Sequence, residues 1–306
     1  MSTWARTGPI AVEVDGTADG LRIVDYACME ALRIDAELIL AAPYHAHAAS
    51  SPMQPGQLPK PPAELADASL CAAVAHIRHR YGYGLQLSPV SQEGSRQRVL
   101  PTIARHARML IVGRSRARGP QRLLAAQGNL FLAGRTGCPV VVVPLSWRPS
   151  PADRKVAVGI DGTPLSTEAL EFAFRETADR EGDLIVLHAG ENKIGEDDRH
   201  SWITRADQAL SEALTPWTSE FPEVRVTRFL TGRDAASALV HESQEVGLIV
   251  VGAHAGPLAI ADPVARRSVA AMTCPVAIVP HHPTVAERER LLAKPVLRGE
   301  LVVPTY

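Results

Sequence analysis

The sequence predicts an α/β fold built from two tandem domains, each a doubly wound, five-stranded parallel sheet of the Rossmann-like type. The chain has 306 residues, about twice the usual domain length of roughly 100–150 residues. Similar segments occur in the same order in both halves, and short apolar runs alternate with helical patterns within each half. This alternation is typical of a parallel sheet that helices cover on both faces.

The internal repeat is carried by three pairs of segments. IAVEVDGT at 10–17 matches VAVGIDGT at 156–163, MLIVG at 109–113 matches LIVVG at 248–252, and CPVVVVP at 138–144 matches CPVAIVP at 274–280. The offset between the copies falls from 146 to 139 and then to 136, so the second copy has shorter loops. Three pairs in register indicate a duplication.

The elements follow in the same order in each copy. A β-branched strand ends in Asp-Gly-Thr, an amphipathic helix follows, and a second strand lies at 37–41 or 183–187. After a further helix come a third strand, a turn at Gly94 or Gly232, and another helix. The fourth strand ends in Val-Gly, and the last strand lies inside Cys-Pro-Val. These elements predict one domain at 1–150 and a second at 151–282.

The remaining segment, 283–306, is a C-terminal extension beyond the second repeat. Residues 287–292 suggest a short amphipathic helix, and 301–303 suggest an added strand.

Composition narrows the class of protein. With 46% hydrophobic and 21% charged residues, the chain is neither disordered nor collagen-like nor a coiled coil. Four cysteines without a C-x-x-C motif favour a reducing compartment with free thiols. No apolar run approaches the length of about 18 residues that spans a bilayer, so we expect a cytoplasmic protein without membrane partners.

The net charge of −1 averages two halves of opposite sign. Residues 1–150 hold 16 basic and 10 acidic residues, giving +6, whereas 151–306 hold 16 and 23, giving −7. No acidic residue occurs between Glu93 and Asp153, a stretch that contains ten arginines. This stretch favours contact with a polyanion or with the other half of the chain.

The Asp-Gly-Thr and Val-Gly segments both lie at the carboxyl ends of strands, where doubly wound sheets bind their ligands. Asp15 and Asp161 there suit a hydrogen bond to a ribose hydroxyl or an adenine edge, and the glycines let the backbone approach phosphates. The alternative is structural: in a tight strand-to-helix turn, Asp or Thr caps the helix.

These residues give the chain a resemblance to the universal stress protein family in its tandem form. The opening Asp-Gly-Thr, the late Val-Gly and the closing Cys-Pro-Val-x-x-Val-Pro carry the resemblance over about 8–145 and 153–282. It implies an open five-stranded sheet, binding of ATP or AMP in many members, and pairing through the last strand. For this chain we therefore expect a homodimer or a pairing of its two domains through these strands.

The resemblance also implies a set of nucleotide-binding positions. In the first copy they are Asp15, Thr17, Pro43, Val112, Gly113, Arg116, Ala126, Gln127 and Gly128, and in the second Asp161, Thr163, Ala189, Val251 and Gly252. The family's phosphate loop, Gly-x2-Gly-x9-Gly followed by Ser or Thr, is kept at its first glycine in each copy. The first copy then departs from the pattern at Arg116, Ala126 and Gln127. The second copy departs at Ala255 and at Asp262-Pro263, where a carboxylate would repel phosphate.

Three functions follow from these patterns. The first is a regulatory stress-response protein that senses ATP or AMP through its first domain, with a degenerate second domain. The second is a nucleotide-free dimeric adaptor for a protein client. The third, ranked last, is polyanion binding by the arginine-rich stretch, which has no interleaved aromatic residues for base stacking, so nucleic acid is not the expected partner.

The other candidates for chemistry are weak. His45, His47, His76 and His79 have spacings that suit either a metal site or a solvated surface, and we predict no metal. Cys138 and Cys274 suit either redox thiols or buried strand residues. The motifs of hydrolases, zincins and P-loop enzymes are absent, so the sequence gives no support to catalysis beyond a weak ATPase activity.

Overall fold

The described residues form one twisted sheet of ten strands with helices on both faces. The computed structural model describes residues 7–45, 61–114, 121–161, 166–190, 196–254 and 263–281. The strands follow the order β3-β2-β1-β4-β5-β10-β9-β6-β7-β8. Each half therefore has the order 3-2-1-4-5 of a doubly wound α/β domain.

The described residues of the first repeat form five strands and four α-helices. They are β1 (Ile10–Glu13), α1 (Gly20–Arg33), β2 (Leu38–Tyr44), α2 (Pro62–Tyr81), β3 (Leu87–Glu93), α3 (Arg96–Ile103), β4 (Met109–Gly113), α4 (Gln121–Ala133) and β5 (Val140–Val143).

The second repeat follows the same plan. Its elements are β6 (Val156–Ile160), α5 (Thr167–Asp179), β7 (Asp183–Ala189), α6 (Glu196–Glu220), β8 (Arg225–Thr231), α7 (Ala235–Glu242), β9 (Leu248–His254), α8 (Pro263–Ala271) and β10 (Val276–His281). The α/β class and the doubly wound sheets predicted from the sequence are confirmed.

The central strands consist mostly of apolar residues because helices cover both of their faces. All four residues of β5 are buried, and so are all six of β10. In α1, one face carries the buried residues, including Ile23, Ala27 and Ala31, which lie at helical spacing.

The two repeats join through their last strands. β5 and β10 pair antiparallel, with Val141 opposite Ala277, whereas every other strand pair in the sheet is parallel. On one face of the sheet, α4 packs against α8 across this junction. The sheet and its apolar core are therefore continuous between the repeats.

Buried ion pairs reinforce the junction on the opposite face. Arg180, which follows α5, donates to Glu30 of α1 at 2.8 Å and to Glu176 of α5 at 2.5 Å. Arg108 of the first repeat also contacts Glu176, at 3.1 Å, and Asp179. Each half therefore contributes both an arginine and a carboxylate to these ion pairs, although the net charge of the first half is +6 and that of the second is −7.

Several sequence predictions lie outside the described residues. They include the helix and strand suggested in the C-terminal extension, and Ala255 and Asp262 in the second copy of the phosphate loop.

Candidate ligand-binding site

A cavity of about 180 Å³ lies in the second repeat, at the carboxyl ends of β6, β7 and β9. The backbone and side chains of 159–161 and 251–253 line its two strand walls. Strand order reverses between β6 and β9, which is the point where doubly wound sheets bind ligands. We refer to this cavity as the β6–β9 cleft.

The β6–β9 cleft is mainly apolar. Leu187 and Ala189 of β7 contribute one side, Leu239 of α7 another, and Val264 of α8 a third. Its volume is close to the roughly 150 Å³ of an apolar cavity that admits a benzene ring. The cleft is therefore of a size and polarity that suit a flat ring system.

Small residues keep the cleft open. Gly159, Ala235 and Ala265 lie on β6, α7 and α8, and all three line it. A Cβ atom on Gly159 would lie 2.9 Å from Leu239 Cδ1, so even a methyl group there would press into the cleft wall.

Asp161 lies at the mouth of the cleft. Its Oδ1 accepts a hydrogen bond of 2.8 Å from Ser166 Oγ. The backbone N–H of Asp161 donates to Ser166 Oγ at 3.3 Å. Ser166 directly precedes α5, so this contact fixes the aspartate against the start of the helix. A carboxylate offers about four acceptor positions, which suit the hydroxyl and amine donors of a ligand.

In the first repeat, three polar side chains take the place of the small residues. The repeat offsets of 146, 139 and 136 make Glu13, Arg96 and Asn129 the equivalents of Gly159, Ala235 and Ala265. Arg96 Nε donates to Glu13 Oε1 at 2.6 Å, and Arg96 Nη2 donates to Asn129 Oδ1 at 3.0 Å. We call these residues the Glu13–Arg96–Asn129 cluster.

Asp15 organises a turn in the first repeat. Its carboxylate accepts hydrogen bonds from the Thr17 backbone N–H at 2.9 Å and from Thr17 Oγ1 at 2.8 Å. Thr17 Oγ1 in turn accepts from the N–H of Gly20, the first residue of α1. The structural alternative from the sequence, a strand-to-helix turn with a capping side chain, describes these contacts well.

The predicted phosphate-loop residues of the first repeat lie within a helix. Ala126, Gln127 and Gly128 follow Gln121, the first residue of α4, by five to seven positions. Backbone N–H groups that deep in a helix donate to carbonyls of the preceding turn and do not face a ligand. Arg116 and Thr163 lie outside the described residues.

The other predicted positions divide between the repeats. Asp161, Ala189, Val251 and Gly252 come together around the β6–β9 cleft. Pro43, Val112 and Gly113 lie at the equivalent strand ends of the first repeat, at the tip of β2 and of β4.

Sequence reasoning missed the residues that decide whether a cleft is open. Gly159, Ala235 and Ala265 carry no reactive group, so a search for chemistry passes over them. Writing the two repeats one above the other at their own offsets reveals the signal, because a glycine and two alanines then stand opposite a glutamate, an arginine and an asparagine.

The cysteines and histidines do not form a reactive cluster in the described part of the chain. Burial raises the pKa of Cys138 and of Cys274 to about 12, which suits thiols packed in the core two residues before β5 and β10. His76 Nε2 lies 2.8 Å from Asp25 Oδ1, and His47 is outside the described residues. None of the described helices is long and apolar enough to cross a membrane.

A doubly wound sheet with a cleft at its switch point, where the strand order reverses, places the protein among the Rossmann-like α/β folds. The model of the "Universal stress protein family" matches residues 7–144 and 153–280. The chain belongs to this family and contains two tandem copies of its domain, as the sequence motifs predicted.

Curated relatives are found in mycobacteria. Universal stress protein Rv2623 of Mycobacterium tuberculosis is 34% identical over 160 residues, which cover 50% of this chain and 54% of that protein. Universal stress protein Rv2005c of the same species is 33% identical over 158 residues, with coverages of 50% and 54%. The chain thus spans about half the length of the curated relatives it matches.

Solved structures resemble the whole two-repeat arrangement. A universal stress protein from Archaeoglobus fulgidus aligns with a TM-score of 0.61 at 11% identity, covering 92% of this chain and 98% of that one. A putative universal stress protein from Pseudomonas aeruginosa aligns at 0.58 and 13% identity, with coverages of 90% and 93%. At these identities the likeness establishes the fold.

Proposed function

We propose that the protein is a regulatory member of the stress response that binds an adenine nucleoside or nucleotide in its second repeat. One observation carries the proposal: the β6–β9 cleft brings Asp161, Ala189, Val251 and Gly252 together at the switch point of the sheet. The apolar walls suit the base, and the Asp161 carboxylate suits a ribose hydroxyl or a ring amine.

The choice of the second repeat reverses the preference drawn from the phosphate loop alone. In the first repeat, Arg96 lies between Glu13 and Asn129 at hydrogen-bond distance from both. A ligand there would have to displace a charge-assisted contact that is mostly withdrawn from water. The open cleft of the second repeat imposes no such cost.

The ligand class follows from the sequence after β9. Asp262 and Pro263 stand where the family pattern has Gly and Ser, so a triphosphate would meet a negative charge and one backbone donor fewer. We therefore expect adenosine or AMP to bind more tightly than ATP.

Calorimetric titration of the purified protein with adenosine, AMP and ATP tests the proposal, after native mass spectrometry for any retained ligand. Asp161→Ala should weaken adenosine binding about tenfold, the effect of one lost charge-assisted hydrogen bond, whereas its matched control Asp15→Ala should leave the affinity unchanged. No retained ligand together with no heat of binding would instead favour a nucleotide-free adaptor. Weakening by Asp15→Ala alone would move the site to the first repeat.

From the sequence we also propose that the protein forms a dimer and binds a protein client. Since β5 and β10 already pair with each other within the chain, two chains that associate must use another surface. Sedimentation equilibrium of the full chain tests this directly.

A further inference from the structure

A second cavity, of about 630 Å³, lies on the first repeat between α3 and α4. Arg98 and Pro101 line it from α3, and Phe131 and Arg135 line it from α4 and the turn that follows. We call it the α3–α4 groove. It shares no lining residue with the β6–β9 cleft.

The polar groups of the α3–α4 groove are mostly donors. Arg98 and Arg135 are exposed, and neither makes an ion pair within the described ranges. The guanidinium of Arg135 lies over the Phe131 ring, 4.9 Å from its centroid, which holds the charge in place at the groove wall. Ser95 and Gln97 add a hydroxyl and an amide, and no carboxylate lines the groove.

In the second repeat, an ion pair bridges the equivalent surface. At offsets of 139 and 136, Asp234 and Arg267 are the equivalents of Ser95 and Phe131. Arg267 Nη1 lies 3.0 Å from Asp234 Oδ1, and Arg267 Nη2 donates to Ser237 Oγ at 3.3 Å. The arginines of the groove, Arg98 and Arg135, have Ser237 and Ala271 as their equivalents, so the second repeat lacks both charges.

We propose that the α3–α4 groove is a binding site for a small molecule that carries a phosphate monoester. A phosphate dianion accepts hydrogen bonds only, and arginine is the side chain that suits it best. Phe131 and Pro101 provide an apolar floor for the carbon body of the ligand. The volume falls within the roughly 300–1,000 Å³ of small-molecule sites.

A nucleic acid fits the groove less well than a small ligand does. Single-stranded nucleic acid needs a basic track with several exposed aromatic rings for stacking, whereas a single aromatic ring lines the groove.

Calorimetric titration with phenyl phosphate tests the proposal. We expect saturable binding at one site of the full-length protein. Arg98→Gln and Arg135→Gln should each weaken it about tenfold, as expected when one charge-assisted contact to phosphate is lost. Arg105→Gln is the matched control, because it removes the same charge from an exposed arginine that does not line the groove, and it should change the affinity less than about twofold.

A second variant separates the groove from net charge. Ser95→Asp combined with Phe131→Arg leaves the net charge unchanged and introduces the residues of the Asp234–Arg267 bridge. This variant should also bind about tenfold more weakly, while circular dichroism and the melting temperature confirm its fold. Full binding by this variant would overturn the proposal, and so would equal losses in all three single-arginine variants or no saturation by the wild type.

Two further titrations complete the test, one with an oligonucleotide and one of the Asp161→Ala variant. A single-stranded oligonucleotide that binds more tightly than phenyl phosphate, with a steep dependence on salt, would overturn the small-ligand assignment in favour of polyanion binding. Asp161→Ala should leave phenyl phosphate binding unchanged, and adenosine, which has no phosphate, reports on the β6–β9 cleft alone. Failure at one site is therefore distinguishable from failure at the other.

Discussion

Arg96 Nε lies 2.6 Å from Glu13 Oε1, at positions where the second repeat has Ala235 and Gly159. The Arg96 side chain is about one quarter exposed and the Glu13 side chain less so. This ion pair ties the start of α3 to the end of β1, and through Asn129 it also reaches α4. The same framework therefore contains a polar cluster in one copy and an open cleft in the other.

Removing the arginine of this cluster should destabilise the first repeat. Arg96→Ala leaves the Glu13 carboxylate and the buried Asn129 amide without a shared partner, which we expect to lower the free energy of unfolding by about 1–3 kcal/mol. The control, Arg98→Ala, removes an exposed arginine two positions away and should cost less than about 0.5 kcal/mol. Urea denaturation measures both. Equal losses would show that the cluster contributes nothing beyond helix propensity.

Arg180 should be the most sensitive charged residue of the junction. It is buried, and it pairs with Glu30 across the repeats and with Glu176 within its own. Arg180→Ala leaves two buried carboxylates without this partner, and losses of about 3–5 kcal/mol are typical of such broken buried pairs.

Arg154→Ala is the matched control for Arg180. Its ion pair with Glu181 is largely exposed and should contribute about 0–1 kcal/mol. A small effect of Arg180→Ala in denaturant unfolding would mean that water reaches the junction.

Acid should weaken the same junction. Burial by itself raises the pKa of Glu176, but the guanidinium groups of Arg180 and Arg108 outweigh it and hold that pKa below its ordinary value of 4.5. A carboxylate with a lowered pKa contributes stability that is present above its ordinary pKa and lost as the pH falls through the lowered one. The free energy of unfolding should therefore fall below about pH 4.5.

The variant Glu176→Gln isolates this contribution. It should be less stable than the wild type at pH 7 and should lose less stability between about pH 5 and 3. Parallel pH profiles for the two proteins would rule out Glu176 as a source of the acid sensitivity.

The four cysteines should differ sharply in reactivity. Burial raises the pKa of Cys28, Cys138 and Cys274 to about 12, whereas Cys71 is exposed on α2. Because the thiolate is the reactive form, a thiol reagent at pH 8 should modify Cys71 alone in the folded protein and all four cysteines in denaturant. Peptide mass mapping identifies the labelled residue. Rapid labelling of Cys138 or Cys274 in the native state would support the redox alternative.

The sequence was sufficient to predict the order of strands and helices, but not which side chains fill or open a cleft. The repeated strand-helix pattern predicts the doubly wound sheets, because apolar periodicity is imposed by burial on every strand and helix. The state of a cleft depends instead on which side chains meet in space, and Glu13, Arg96 and Asn129 are separated by 83 and 33 positions. The phosphate-loop spacing likewise does not show that Ala126 to Gly128 continue α4, because helix length depends on packing as well as on spacing.

Exchanging the three residues between the repeats should exchange their binding properties. Gly159→Glu, Ala235→Arg and Ala265→Asn together place the cluster in the β6–β9 cleft and should abolish adenosine binding, while Ala235→Arg alone is the milder variant if the triple one folds poorly. Glu13→Gly, Arg96→Ala and Asn129→Ala should open the first repeat, at a cost in stability of about 1–3 kcal/mol. If the cluster is what closes that repeat, calorimetry will detect a second adenosine site, which Asp15→Ala then weakens. If the opened variant is stable yet still binds a single adenosine, differences outside the three positions must distinguish the repeats.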